Sequence, residues 1–120
     1  MRALVADDSG VARQLLIKVL QSECGFDDIV HAADGKEALE KASDGSYDLI
    51  CLDWNMPEMS GIEVLQKIRV NDPTTPIVMV TSETEKARVA EAFGLGATNY
   101  ILKPFSQEDV AIKIKRVLNL

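Results

Sequence analysis

Short apolar runs alternate with amphipathic segments along the whole 120-residue chain, and no other feature restricts its fold as much. The runs are Ala3-Leu4-Val5-Ala6, Ile29-Val30-His31-Ala32, Tyr47 to Leu52, Pro76-Ile77-Val78-Met79-Val80 and Asn99-Tyr100-Ile101-Leu102. Between and after them, apolar positions recur at helical spacing: Val11, Leu15, Leu16, Val19 and Leu20; Ala38, Leu39 and Ala42; Ile62, Leu65 and Ile68; Ala87, Val89, Ala90 and Phe93; Val110, Ile114 and Val117. Five strands alternating with five helices require crossover connections, and right-handed crossovers give a parallel sheet with helices on both faces. The run ending in Val80 is apolar throughout, as a strand covered on both faces should be. The spacing therefore predicts a doubly wound α/β domain over residues 1–120, with no internal repeat or linker.

Local signals place the helix ends. Asp34 with Glu37, Ser60 with Glu63, Ser82 with Glu85 and Ser106 with Asp109 each have capping-box spacing, which predicts a helix start at each pair. Cys24-Gly25, Asp44-Gly45, Asn71-Asp72-Pro73 and the glycines Gly94 and Gly96 mark the ends of the first four helices.

Four of the five strands hand over to a polar residue. Asp7 and Asp8 follow the first run, Asp53 the third, Thr81 the fourth and Lys103 the fifth. In a parallel sheet these positions share one edge, the carboxyl edge, where ligands of open α/β sheets bind. Two unit charges about 4 Å apart repel by roughly 4 kcal/mol at an effective dielectric near 20, so three carboxylates gathered there need cations. Lys103 can supply part of the charge and a divalent ion the rest. Mg²⁺ suits one or two carboxylates completed by water and phosphate oxygens. A carboxylate so placed can act as a nucleophile toward phosphorus, which makes Asp53 the candidate acceptor. Singly, Asp7, Asp8 and Thr81 could be helix caps and Lys103 a surface lysine. Together they favour a site.

Charge narrows the partners. The net charge is -6 with a pI near 4.7, against the clustered Lys and Arg that a nucleic acid or an anionic membrane requires. Residues 1–83 carry 15 acids and 7 bases, whereas residues 84–120 carry 4 acids and 6 bases, so the last third is the mildly basic part. Cys24 and Cys51 have neither metal-ligand spacing nor disulfide density and read as reduced core thiols. No apolar run reaches membrane-spanning length and the start reads as a strand, so a cytoplasmic location without membrane insertion is expected. His31 has no second ligand nearby and reads as structural or solvent-exposed.

With Asp7-Asp8, Asp53-Trp54-Asn55-Met56-Pro57, Thr81, Tyr100 and Lys103-Pro104-Phe105 in place, the chain resembles the receiver domain of two-component response regulators, in particular the stand-alone chemotaxis type. The resemblance covers essentially the whole chain. It implies a flavodoxin-like sheet with strand order 2-1-3-4-5, Asp53 as phosphoacceptor, and Mg²⁺ held by Asp8, Asp53 and the backbone carbonyl of Asn55, with Asp7 holding a metal-bound water. It further implies that Thr81 and Lys103 contact the phosphoryl group and that the Lys103-Pro104 bond is cis. Asn55 and Glu83 would modulate acyl-phosphate hydrolysis. Tyr100 would be a two-state element whose ring lies inward against Thr81 or outward, with Lys113 and Arg116 flanking it.

The implied partners are a sensor histidine kinase and an output protein, such as the flagellar motor switch, on the face formed by helix four, strand five and helix five. The chain is expected to be a monomer, and a phosphoacceptor rather than a conventional enzyme. Ser82 stands where relatives often have Ala, and Phe93 where many have a small residue. Alternatives are a receiver cut from a longer regulator, a phosphate sink, or an aspartate-based phosphatase. The phosphatase is disfavoured because Asn55 stands where its second aspartate would be. A flavin carrier would need a phosphate loop rich in Thr, Ser and Gly after strand one, where Asp7-Asp8 would repel phosphate. No helix-turn-helix segment follows Leu120, so output is expected through protein contact.

Overall fold

The computed structural model describes all 120 residues. The elements follow in strict alternation: β1 (Arg2–Ala6), α1 (Gly10–Glu23), β2 (Asp28–Ala32), α2 (Gly35–Ser43), β3 (Leu49–Leu52), α3 (Gly61–Asn71), β4 (Ile77–Thr81), α4 (Lys86–Gly94), β5 (Asn99–Leu102) and α5 (Gln107–Leu118). The five strands form one parallel sheet in the order β2-β1-β3-β4-β5. This is the predicted order. The reversal beside β1 leaves the carboxyl ends of β1 and β3 adjacent, with Ala6 paired to Leu52.

Alternation of side chains along each strand splits the core in two. On one face Ala3, Val5, Cys51, Val78, Val80 and Ile101 pack against Leu16, Val19 and Leu20 of α1 and Val110 and Ile114 of α5. On the other, Leu4, Ile50, Leu52, Ile77 and Met79 meet Ala38 of α2, Val64, Leu65 and Ile68 of α3 and Ala92 of α4. β3 and β4 are buried at every position, which is why their sequences are unbroken apolar runs rather than alternating ones.

Three of the four expected capping residues cap their helices through side-chain oxygens: Asp34 accepts from Glu37 N at 2.7 Å, Ser60 from Glu63 N at 3.3 Å and Ser106 from Asp109 N at 3.0 Å. The fourth expectation is corrected. α4 starts at Lys86 with Glu85 as its N-cap and no side-chain cap bond, so Ser82 and Glu85 form no capping box. The backbone between Thr81 and Glu85 is turned by other bonds: Thr81 Oγ1 accepts from Glu83 N at 3.3 Å, and Glu83 Oε1 accepts from Glu85 N at 3.1 Å. Those two turns delay the helix. β3 likewise begins at Leu49 rather than Tyr47: its pairing with β1 starts with Leu49 opposite Ala3, just after Asp48 N donates to the Arg2 carbonyl at 2.8 Å.

No helix is long and apolar enough to cross a membrane. Both cysteines are free and buried, and burial pushes the Cys51 thiol up to about 12. His31 is exposed on the edge strand β2.

Candidate functional site

The three buried polar side chains of the chain, Asp7, Asp53 and Thr81, all lie at the carboxyl edge of the sheet. Asp53 is the first residue beyond β3, and its backbone N donates to the Ala6 carbonyl at 3.0 Å, which extends the β1–β3 ladder to the site itself. Asp7 follows β1 in the same way, donating to the Ala32 carbonyl of β2 at 3.1 Å. Rigid strands therefore deliver both carboxylates.

Lys103 reaches them from the end of β5. Its Nζ lies 2.6 Å from Asp7 Oδ2 and 3.0 Å from Asp53 Oδ2. The Lys103-Pro104 peptide is cis, as the resemblance implied. Burial acts to lower the Lys103 pKa, but the hydrogen bonds and charges of Asp7 and Asp53 outweigh it and hold the ammonium above its ordinary value. For Asp7 the balance goes the other way: burial and the Asp53 charge push its carboxyl up, despite bonds from Lys103 and Ser9 N that pull it down. One lysine does not satisfy this edge.

Asp8 completes an acidic group in which one carboxylate oxygen each from Asp7, Asp8 and Asp53 lie within 4.8 Å of one another. Asp8 is exposed, so the group opens to solvent on one side. An all-oxygen, anionic donor set with an open side fits a hard, partly hydrated divalent cation, and Mg²⁺ is such an ion. The residues present fit the implied metal.

Ser9 is the N-cap of α1, accepting from Ala12 N at 3.2 Å, while Asp7 Oδ1 accepts only as far as Ser9 N at 2.9 Å. Neither aspartate caps the helix. Thr81 does not cap α4, and Lys103 is paired on both sides rather than solvated.

The rim is formed by the loops that follow β3 and β4. Asn55 is exposed on the first and Glu83 is half-buried on the second. Asp53's own loop folds back tightly: Gly61 N donates to the Trp54 carbonyl at 2.8 Å, and a Cβ on Gly61 would collide with the Asp53 carbonyl oxygen. The Tyr100 ring is buried in the inward position, and its hydroxyl donates to the Glu83 carbonyl at 2.9 Å. Burial raises its pKa, so the hydroxyl keeps its proton for that bond. Phe93 packs beside it, ring centroids 6.4 Å apart, and is itself 45% exposed. Lys113 Nζ reaches the Tyr100 carbonyl at 3.4 Å, whereas Arg116 is exposed and makes no bond to Tyr100.

Two arginines at the site escaped the sequence reading. Arg13, on α1, donates from Nη1 to the Asp7 carbonyl at 2.6 Å and leaves its Nε buried without a partner. Arg88, on α4, lies over the Trp54 ring at 5.5 Å and faces Glu83 and Glu85. Both look like ordinary helix charges in sequence; only the (i, i+3) spacing of Glu85 and Arg88 marks either of them as having a partner.

Comparison with known proteins places this geometry among relatives. The family model described as the response regulator receiver domain matches residues 3–115. The chain is 38% identical to chemotaxis protein CheY1 of Helicobacter pylori, over 98% of this chain and 97% of the relative. It is 34% identical to chemotaxis protein CheY of Pseudomonas aeruginosa, over 98% and 95%. Among solved structures, Vibrio cholerae chemotaxis response regulator CheY4 superposes with a TM-score of 0.89 at 39% identity, covering 98% of each chain. A CheX–CheY–BeF3–Mg²⁺ complex from Borrelia burgdorferi superposes with a TM-score of 0.93 at 31% identity, over 98% of this chain and 88% of that one.

Proposed function

The chain belongs to the response regulator receiver family, of the CheY chemotaxis type, and we propose that it is a phosphoryl-accepting switch with Asp53 as the acceptor. We take residues 1–120 as one receiver domain. The observation that carries the reading is the shared Lys103: a single ammonium bridges Asp7 and Asp53, leaving an edge with more negative charge than its own cations neutralise.

In the transfer, an Asp53 carboxylate oxygen forms a bond to phosphorus as the phosphorus–nitrogen bond of a phosphohistidine breaks, and the imidazole leaves with its electron pair and takes a proton from solvent. Hydrolysis reverses the acyl bond: water attacks phosphorus, and Asp53 and inorganic phosphate are released. Asp8, Asp53 and the Asn55 carbonyl would hold Mg²⁺, with Asp7 holding a water bound to it, and the ion would neutralise charge on the transferring group. Lys103 is poised to follow the new charge, since its Nζ already sits 3.0 Å from the acceptor carboxylate. The Thr81 hydroxyl, now bonded only by Glu83 N, can turn to donate to a phosphoryl oxygen. Asn55 and Glu83, on the rim, modulate the approach of water.

The partners follow the same reading. A cytoplasmic sensor histidine kinase supplies the phosphoryl group, and an output protein, in a motile cell the flagellar switch, reads the face around α4, β5 and α5. That the Borrelia relative was solved with CheX, BeF3 and Mg²⁺ supports a phosphoryl-and-metal site in this fold. The acetyl phosphate test is direct: with Mg²⁺, intact mass should rise by one phosphoryl group in the wild type and not in Asp53→Asn. Equal labelling of the variant would remove Asp53 from the role.

A further inference from the structure

We propose that Arg88 is a positioning residue that brakes phosphorylation by holding the loop between β4 and α4 in its resting arrangement; the inference rests on Asp53 being the phosphoacceptor. Arg88 belongs to α4 but its guanidinium lies over the indole of Trp54, the residue next to Asp53, at 5.5 Å from the ring centroid. From there Nε lies 3.8 Å from a Glu83 carboxylate oxygen and 3.7 Å from one of Glu85. Trp54 is buried, so the ring offers a fixed platform.

Glu83 is the hub of that loop. Its N–H donates to Thr81 Oγ1, its carbonyl accepts from Tyr100 O–H, and one carboxylate oxygen accepts from Glu85 N while the other faces Arg88. If the Thr81 side chain swings to bring its hydroxyl to a phosphoryl oxygen, Oγ1 moves off Glu83 N and releases that end of the loop to rearrange. Arg88, seated on Trp54 and facing Glu83, favours the arrangement in which Glu83 keeps its present place. A group that stabilises only the resting state lowers the population of the acceptor-competent state, and coupling between the two sites is reciprocal. The cation–aromatic contact and the half-exposed ion pairs are each modest, which sets the expected size at roughly three- to tenfold in rate.

The test uses the full chain, acetyl phosphate and Mg²⁺, with initial labelling rates read by intact mass. Arg88→Ala and Arg88→Gln should label faster than wild type by that factor, Arg88→Lys should return toward the wild-type rate, and Arg88→Ala should add nothing in a Glu83→Ala background. Damage to a merely structural contact lowers a rate or a melting temperature; it does not raise labelling with rescue by Lys. Labelled wild type with an unchanged or slower Arg88→Ala overturns the brake alone. An unlabelled wild type overturns the phosphoacceptor reading and the brake with it.

Discussion

The two edges of the sheet use the same residue types to opposite ends. At the amino edge, charges are matched locally: Arg2 pairs with Asp28 at 3.1 Å and lies over the Tyr47 ring at 4.6 Å, and the Asp48 carboxylate accepts from Arg2 N. Arg69 donates twice to the Gly96 carbonyl, and Asp72 accepts from Thr74 N and Thr75 N. Every one of those groups is at least partly wet. At the carboxyl edge, Asp7 and Asp53 are buried and share one lysine, with exposed Asp8 beside them. An edge that only closes a fold resembles the first. The second keeps an imbalance that costs stability until a cation or a charged ligand arrives.

The largest expected contrast concerns two glycines. A Cβ at either would come too close to a neighbour, but Gly61 would meet the Asp53 backbone and Gly45 only the flexible tip of Arg2. Gly61→Ala should cost about 3 kcal/mol in urea unfolding and Gly45→Ala under about 1. Equal costs would break the distinction between a packed site loop and an adjustable edge.

Lys103→Met comes next, at about 2 kcal/mol, discounted from the cost of breaking a buried pair because the side chain retains contact with water. Its pH signature has a defined sign. The folded pKa is raised, so the stabilisation is complete below the ordinary lysine value and is lost as pH rises through the folded one. Wild type should therefore lose an alkaline increment of melting temperature that Lys103→Met lacks.

Asp7→Asn should stabilise the metal-free protein at pH 7, by less than Lys103→Met destabilises it. Its carboxyl pKa is raised, chiefly by burial, so ionised Asp7 costs stability above its folded pKa. The gain should vanish below the ordinary aspartate range, where both forms are neutral. The same variant should bind Mg²⁺ more weakly, read as a weaker change in Trp54 fluorescence on titration. Arg2→Met, the smallest effect, should cost under about 1 kcal/mol and leave Mg²⁺ affinity unchanged.

Most of the frame was legible because strand ends are marked by abrupt changes in polarity. Asp7, Asp53, Thr81 and Lys103 each follow an apolar run, and parallel order alone brings them to one edge. Helix starts were less secure. Ser82-Glu85 has the spacing of a capping box, yet Thr81 and Glu83 take the local backbone donors first and the helix begins at Lys86. The inward Tyr100 could not be chosen from sequence, since its acceptor is the Glu83 carbonyl on a loop whose path depends on those same turns. Arg13 and Arg88 were invisible for a different reason: long charged side chains on exposed helix positions carry no pattern, and their targets are reached only in three dimensions.

The most direct measurement is reductive trapping. After incubation with acetyl phosphate and Mg²⁺, borohydride converts an aspartyl phosphate to homoserine, and peptide mass spectrometry reads where. Homoserine at position 53, dependent on Mg²⁺ and absent from Asp53→Asn, is the predicted result. Homoserine at Asp7 or Asp8 instead, or at no aspartate, would contradict the assignment of Asp53 as the acceptor.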